Sequence, residues 1–496
     1  MAVSEQNVSF QELVRECTLI GTSAAVLGWD QETYMPEDAS GFRAEQLSWL
    51  SAQAHQRATS QQWADALEAA MQVCDEKDLA ERANLSEMKR RYELATKLPV
   101  ELVARESKVS SHAKRAWMEA RKENNFAKFL PHLTELVDIA REKAERWGYL
   151  NEPYDALLSC HERGATTAVL SGLFDTLRPE LSGIARAAVE RSRDRVQPLP
   201  AGPYPEAQQM ILNEAIARDL GYSFAAGRID TTTHPFCTTL GPRDVRLTTR
   251  YDEADFCSSL FGVLHEAGHG MYEQGLPGDR PGMAAGDAVS LGIHESQSRL
   301  WENHVGRARE FWKKWYPRAV ELFPQLRQVA LDDFMSHVHQ ANFSLIRVES
   351  DEATYDLHIM LRFLLERKIF RKELALVDLP AAWNELFVEL FGMTPPDDAQ
   401  GCLQDIHWSM GAFGYFPTYT LGNLHASQLI HAARQVEVIR QGIDTAQYGP
   451  LLAWLRENIH RHGALHEPSD LIFGATGSAP DAKYHLEHLR KRYVDA

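Results

Sequence analysis

From Phe10 to about Arg193 apolar residues recur at steps of three and four, as at Phe129, Leu133, Leu136 and Ala140. That period marks one face of an α-helix, and a strand, whose side chains alternate, cannot gather such a stripe on one side. The first third is therefore expected to fold as helices packed on helices. Its interruptions are local. Met35 to Asp38, Leu98-Pro99, Leu130-Pro131 and Tyr149 to Pro153 all carry proline, which is barred from a helix interior and marks a turn or a new first turn. Pro198 to Pro205 holds four prolines in eight residues and reads as a loop. Helical patterning resumes at once from Glu206 without a shift in composition, so residues 1–496 are expected to form a single helical domain.

Between Ile229 and Arg250 the text turns threonine-rich and β-branched, with Val245, Leu247 and Thr249 alternating against Arg246, Thr248 and Arg250, the pattern of a hairpin. A helix from about Asp255 to Gln274 follows, then a Gly/Pro loop from Gly275 to Gly286, then helices through the late 300s, among them a long helical segment from Asp332 to Arg367. Self-similarity at a fixed period is absent from the sequence, which excludes a solenoid. The fold class is mainly α, with a small β-sheet.

His265-Glu266-Ala267-Gly268-His269 falls inside the helix that contains Phe256, Leu260, Leu264, Ala267 and Met271 at helical spacing, with Asp252 and Asp255 available to cap it. Four residues make about one turn, so both imidazoles leave one face and can bind one zinc, while Glu266 lies about 100° round the axis, beside the water such an ion activates. An HExxH match arises by chance in roughly one chain in twenty of this length. Gly268 and Gly270 weigh against chance, since each weakens a helix by about 1 kcal/mol unless something must approach closely. A catalytic zinc needs a third protein ligand. Glu295 follows His269 by 26 residues, in a segment His294 to Arg299 that opens a helix with Trp301, Val305, Ala308, Trp312 and Trp315 as its stripe. A glutamate there completes a His₂Glu site, or else is an exposed first-turn residue favoured by the helix dipole.

Charge narrows the partners. With 52 Lys plus Arg against 69 Asp plus Glu, the net charge of -17 repels nucleic acid and anionic membrane surfaces. The six cysteines lie far apart without a CxxC pair, which suits a reducing compartment, and the N-terminal stretch Met1 to Cys17 lacks the apolar block of a signal peptide. A cytoplasmic protein is expected.

Eight ordered motifs resemble the Taq-type metallocarboxypeptidases: Trp29 to Pro36, His234-Pro235-Phe236, Asp244 to Thr248, the HEAGH and HESQ segments, Ile346 to Asp351, the GxxQDxHW run from Gly401 to Trp408, and Gly414 to Tyr419. Ser350 stands where the family usually has alanine, a small change. The resemblance implies a mostly helical fold with a deep central groove, similar to angiotensin-converting enzyme and neurolysin, and a homodimer. It implies removal of single residues from the free C-termini of peptides by one zinc per chain, with cobalt able to replace it. His265, His269 and Glu295 match the family's metal ligands and Glu266 its catalytic glutamate. An oligopeptidase or dipeptidyl carboxypeptidase on the same scaffold is the alternative activity.

A carboxypeptidase must recognise a free carboxylate, and a guanidinium fork is the usual means. Arg347 is the first choice; the competing role is an i, i+4 ion pair with Asp351. Tyr415 and Tyr419 are candidates to donate to the oxyanion, with His407 beside the substrate. His234, held extended by Pro235, is expected to touch a peptide lying along the sheet edge. Asp244 and Arg246 are expected to support the metal site or the hairpin. His294, Gln404 and Asp405 carry no assigned role.

Overall fold

The computed structural model describes residues 9–195 and 198–495; the first eight residues of the N-terminal stretch read above lie outside them. Among the described residues are twenty α-helices and one three-stranded sheet. Most prolines fall where their missing N–H costs nothing: Pro99 directly precedes the helix Val100–Lys122 and Pro153 opens the helix Pro153–His161. Pro131 departs from expectation. It lies inside the helix Phe126–Trp147, where Phe129, Leu133, Leu136, Val137 and Ala140 are all buried, and the burial of that stripe outweighs one lost backbone bond.

The hairpin is present. Strands β2 (Cys237–Gly241) and β3 (Asp244–Thr249) pair antiparallel, with Cys237 opposite Leu247, across a turn in which Arg243 takes a φ of 68°. Strand β1 (Ile229–Thr231) pairs parallel to β3 on its other edge, so β3 is central. Val245, Leu247 and Thr249 point inward as their alternation requires.

Two large apolar clusters make up the interior. One joins the helices from Leu102 to Val189 with those around Tyr355–Phe370 and Leu379–Phe391. The other is built around Leu260, Leu264, Ala267, Trp301, Trp312 and Phe334. The helix Pro417–Ala433 gives Leu424 to the first and Ala426 and Leu429 to the second. A third, smaller cluster seats Phe10, Trp63 and Leu67 against Met283 and Ala284. No helix among the described residues is long and apolar enough to cross a membrane.

Candidate active site

The HEAGH segment occupies the middle of the helix Phe256–Glu273, which starts where the Asp255 carboxylate accepts the Cys257 amide at 2.9 Å. His265 Nε2 and His269 Nε2 lie 3.6 and 3.5 Å from the same oxygen, Oε2 of Glu295. Both Nδ1 atoms are engaged on the far side: that of His265 with Glu302 Oε2 at 2.9 Å, that of His269 with the His294 carbonyl at 3.0 Å. A carbonyl only accepts, so the His269 Nδ1 carries the proton and its Nε2 keeps a lone pair for a cation. Glu302 sets the same orientation at His265. Two imidazoles and one carboxylate, with ligand atoms within 4.8 Å of one another and their outer partners in place, fit a metal ion.

Glu295 is only 5% exposed, which removes the solvent-facing alternative. Its Oε1 accepts Arg299 Nε at 2.6 Å and its Oε2 accepts the Ser298 hydroxyl at 3.1 Å. The helix that carries it, Leu291–Arg299, begins at Ser290, whose Oγ accepts the Ile293 amide, while the Glu162 carboxylate accepts that of Gly292 at 2.9 Å. A Cβ on Gly268 would stand 2.6 Å from the Gln297 carbonyl oxygen, and one on Gly422 2.4 Å from Glu295 Cγ. The motif helix and the helix Pro417–Ala433 therefore close on the helix that carries Glu295 at contacts that admit no side chain.

The single helix expected to run on from His294 is in fact three pieces. The α-helix gives way to a π-helical stretch, Leu300–Gly306, and a new helix spans Arg309–Leu322. Trp301, Val305 and Trp312 are buried as the stripe requires, and Glu302, in the π-helical stretch, faces His265. Glu302 is held well ionised: burial opposes this, but Arg299 and the bond to His265 bring it down to about 2. Glu266 is 7% exposed, and burial pushes it up to about 7, with His265 pulling it down and Glu295 adding to the rise. The ring of His294 stacks on His269 at 4.4 Å, and its Nε2 meets Glu273 Oε1 at 2.9 Å; Glu273 Oε2 accepts the Thr239 hydroxyl of β2 at 2.7 Å.

Arg347 does not lie on a long helix. After the helix Leu331–Val338 the chain is irregular until Tyr355–Phe370, and Arg347 sits in one 3₁₀ turn, Arg347–Glu349. Asp351 is the cause: its carboxylate accepts the amides of Asn342, Ala353 and Thr354, offering the backbone partners other than helix and leaving no i, i+4 pair with Arg347. Arg347 is buried and gives Nε and Nη2 to Asp405 Oδ1 at 3.0 and 2.8 Å, and Nη1 to the Tyr355 hydroxyl at 2.9 Å. Of the five donors on a guanidinium this leaves one N–H on each Nη uncommitted. Asp405 also receives Arg362 Nε at 2.6 Å, and Gln404 Oε1 accepts from the Arg347 amide and Arg362 Nη2. Burial alone would raise Asp405, yet the two guanidiniums hold it well below the usual carboxylate range.

His407 Nε2 meets the Tyr419 hydroxyl at 3.1 Å, and the rings of Tyr415 and Tyr419 lie 5.4 Å apart. Burial and the Arg347 charge pull His407 down to about 3, so it is neutral, and burial keeps both tyrosines protonated. The sheet residues make other contacts. Asp244 and Arg246 pair with each other at 2.8 and 2.9 Å, Arg246 lies over the Trp29 ring at 4.3 Å, and His234 is exposed in the loop between β1 and β2. Glu302, Arg299, Glu273, Tyr355 and Arg362 were not singled out from the sequence. The first two had a signal, at seven and four residues past Glu295 and so on its face of a helix.

The sequence profile described as carboxypeptidase Taq (M32) metallopeptidase matches residues 9–493. A thermostable carboxypeptidase 1 of Thermus thermophilus is 40% identical over 97% of either chain, and a carboxypeptidase 1 of Bacillus subtilis 35% identical over 99% of either. The crystal structure of an M32 carboxypeptidase from Deinococcus radiodurans superposes with a TM-score of 0.93 at 36% identity over 98% of each chain. An HEAGH helix, a carboxylate from a second helix within ligand reach of both histidines, a mainly helical fold with a small sheet, and matches of this length agree: the chain is a metallocarboxypeptidase and belongs to the carboxypeptidase Taq (M32) family.

Proposed function

We propose that the chain releases single residues from the C-termini of peptides, with zinc held by His265, His269 and Glu295, Glu266 as the base and Arg347 as the reader of the free carboxylate. The convergence of both imidazole Nε2 atoms on one oxygen of Glu295, beside a buried Glu266, carries this reading. Two nitrogens and one carboxylate oxygen are a zinc donor set, which cobalt also accepts. Bound zinc supplies Lewis acidity, lowering the pKa of water toward neutrality and polarising the peptide carbonyl. Glu266 takes the proton of the attacking water and returns it to the leaving amine. Arg347 grips the terminal carboxylate with the N–H left free on each Nη. Tyr415 or Tyr419 donates to the former carbonyl oxygen, a reading supported by the bond between His407 and the Tyr419 hydroxyl and by the closeness of the two rings. His234 meets an extended peptide from its exposed loop, and Asp244 with Arg246 supports the hairpin through Trp29.

Metal analysis should find one zinc per chain, and mass spectrometry of an unblocked peptide should show a ladder of single-residue losses that a chelator abolishes and zinc restores. Release of dipeptides or internal fragments would favour the dipeptidyl carboxypeptidase or oligopeptidase activity instead.

We read residues 1–496 as one domain, because the helix Pro417–Ala433 contributes to both large clusters. Cytoplasmic residence is supported by six free cysteines, of which Cys257 and Cys402 are buried as thiols. A homodimer is supported by the helix Ser40–Ala58, which buries none of its nineteen residues and exposes Phe42 and Trp49 at 69 and 63%, seven residues apart on one face. Phe42→Asp with Trp49→Asp should convert a dimer to a folded monomer in sedimentation velocity at micromolar concentration; an unchanged sedimentation coefficient would remove this helix from the interface.

A further inference from the structure

His304, Glu352 and His488 form a second group of potential metal ligands, their ligand atoms within 4.8 Å of one another. Charge argues against a cation there. Arg492 Nη1 sits 2.8 Å from Glu352 Oε2 and cancels the cluster's one anion, so a divalent ion would enter a buried site with no net negative charge to meet it. The cluster has another use. Glu352 lies five residues after Arg347, and all its other partners come from the end of the chain: His488 Nε2 at 2.7 Å on Oε1 and the Tyr493 hydroxyl at 3.1 Å on Oε2. Arg492 Nη1 also donates to the Asn303 carbonyl at 2.7 Å. Asn303 adjoins Glu302, the residue that orients His265. A second tie runs parallel: His485 Nε2 meets Asp356 Oδ2 at 2.9 Å, and Asp356 Oδ1 accepts from Thr420 and Asn423 on the helix that carries Tyr419.

We propose that the C-terminal segment His485 to Tyr493 is a brace that sets the position of Arg347 relative to the metal ligands, with Arg492 as the positioning residue that joins the two sides. The inference rests on Arg347 as carboxylate reader. An enzyme that removes one residue must hold the terminal carboxylate one residue, about 3.3–3.6 Å of chain, beyond the bond it cuts. Misplacement by about 1 Å costs on the order of a hundredfold in rate. The anchor and the ligands lie on separate stretches of chain, Ile346 to Asp351 and His265 to Glu302. Arg492 hydrogen-bonds the carbonyl of Asn303, the residue after the second stretch, and the carboxylate of Glu352, the residue after the first.

The test uses the full-length zinc enzyme and a pair of peptides that differ only in a free or an amidated C-terminus. Arg492→Ala should keep its zinc and its amide activity, while kcat/KM on the free acid falls at least about tenfold, mostly in kcat, so that the acid-to-amide ratio falls with it. Arg492→Lys should recover part of that ratio, since an ammonium can reach either acceptor. Should Arg492→Ala fold poorly, Glu352→Gln removes the charge at constant shape and should lower the same ratio. A purely structural role predicts a lower melting temperature with an unchanged ratio well below it, and that result in Arg492→Ala or in Glu352→Gln overturns the brace. Arg347→Ala, measured alongside, separates the two ideas. If its ratio is unchanged while that of Arg492→Ala falls, Arg347 is not the anchor and the brace, being defined on it, falls with that reading; if its ratio collapses while that of Arg492→Ala holds, the anchor stands and the brace does not.

Discussion

Glu266→Gln is expected to bind zinc as the wild type does and to turn over at least about a thousandfold more slowly, within the 10² to 10⁴ commonly supplied by a general base. The amide matches the carboxylate in shape but cannot accept the proton of the attacking water. Metal content should survive because Glu266 is not among the three side chains that converge, His265, His269 and Glu295, which draw their support from Glu302, Arg299 and the His294 carbonyl. Glutamine also carries no charge into a buried position, so the fold should tolerate it. Atomic absorption and steady-state kinetics on one preparation check both halves. Near-normal turnover at full zinc occupancy would take the role of base away from Glu266.

The second large effect concerns the end of the substrate. An amidated peptide should be a poor substrate, because the N–H that Arg347 leaves free on each Nη would meet a neutral amide in place of a carboxylate, and losing one side of a buried hydrogen-bonded charge pair costs about 2–5 kcal/mol, or roughly thirtyfold to several thousandfold. Arg347→Ala should lose most activity on free acids and most discrimination between acid and amide. The variant is a clean one: Asp405 keeps its bond to Arg362 when Arg347 is removed, so no buried carboxylate is stranded. Arg347→Lys should recover only part, since a point charge cannot present two parallel N–H groups while also holding Asp405 and the Tyr355 hydroxyl. The acid-to-amide ratio of kcat/KM for the three proteins decides. A ratio unchanged in Arg347→Ala would move the search to other cations. Arg246 is the next candidate, with Nε and Nη2 on Asp244 and three N–H groups uncommitted.

Much of this molecule was legible before folding. The step of three and four between Phe129 and Ala140, the alternation at Val245, Leu247 and Thr249, and the one-turn separation of His265 and His269 are local periods, and local periods persist in the folded chain because they arise from the backbone itself. The motifs supplied the candidates. What they did not contain was the partner of each. Arg347 and Asp405 lie fifty-eight positions apart, Glu302 and His265 thirty-seven, and Asp351 breaks a second helix by taking three backbone amides. In each case a buried charge or an unmet hydrogen bond had to find a partner wherever packing brought one within reach. That choice is made among side chains distant in sequence. Residue types and local spacing decided which groups could do chemistry, and the tertiary structure alone decided which of them meet, because the cost of leaving a charge unpaired is settled only where the interior closes.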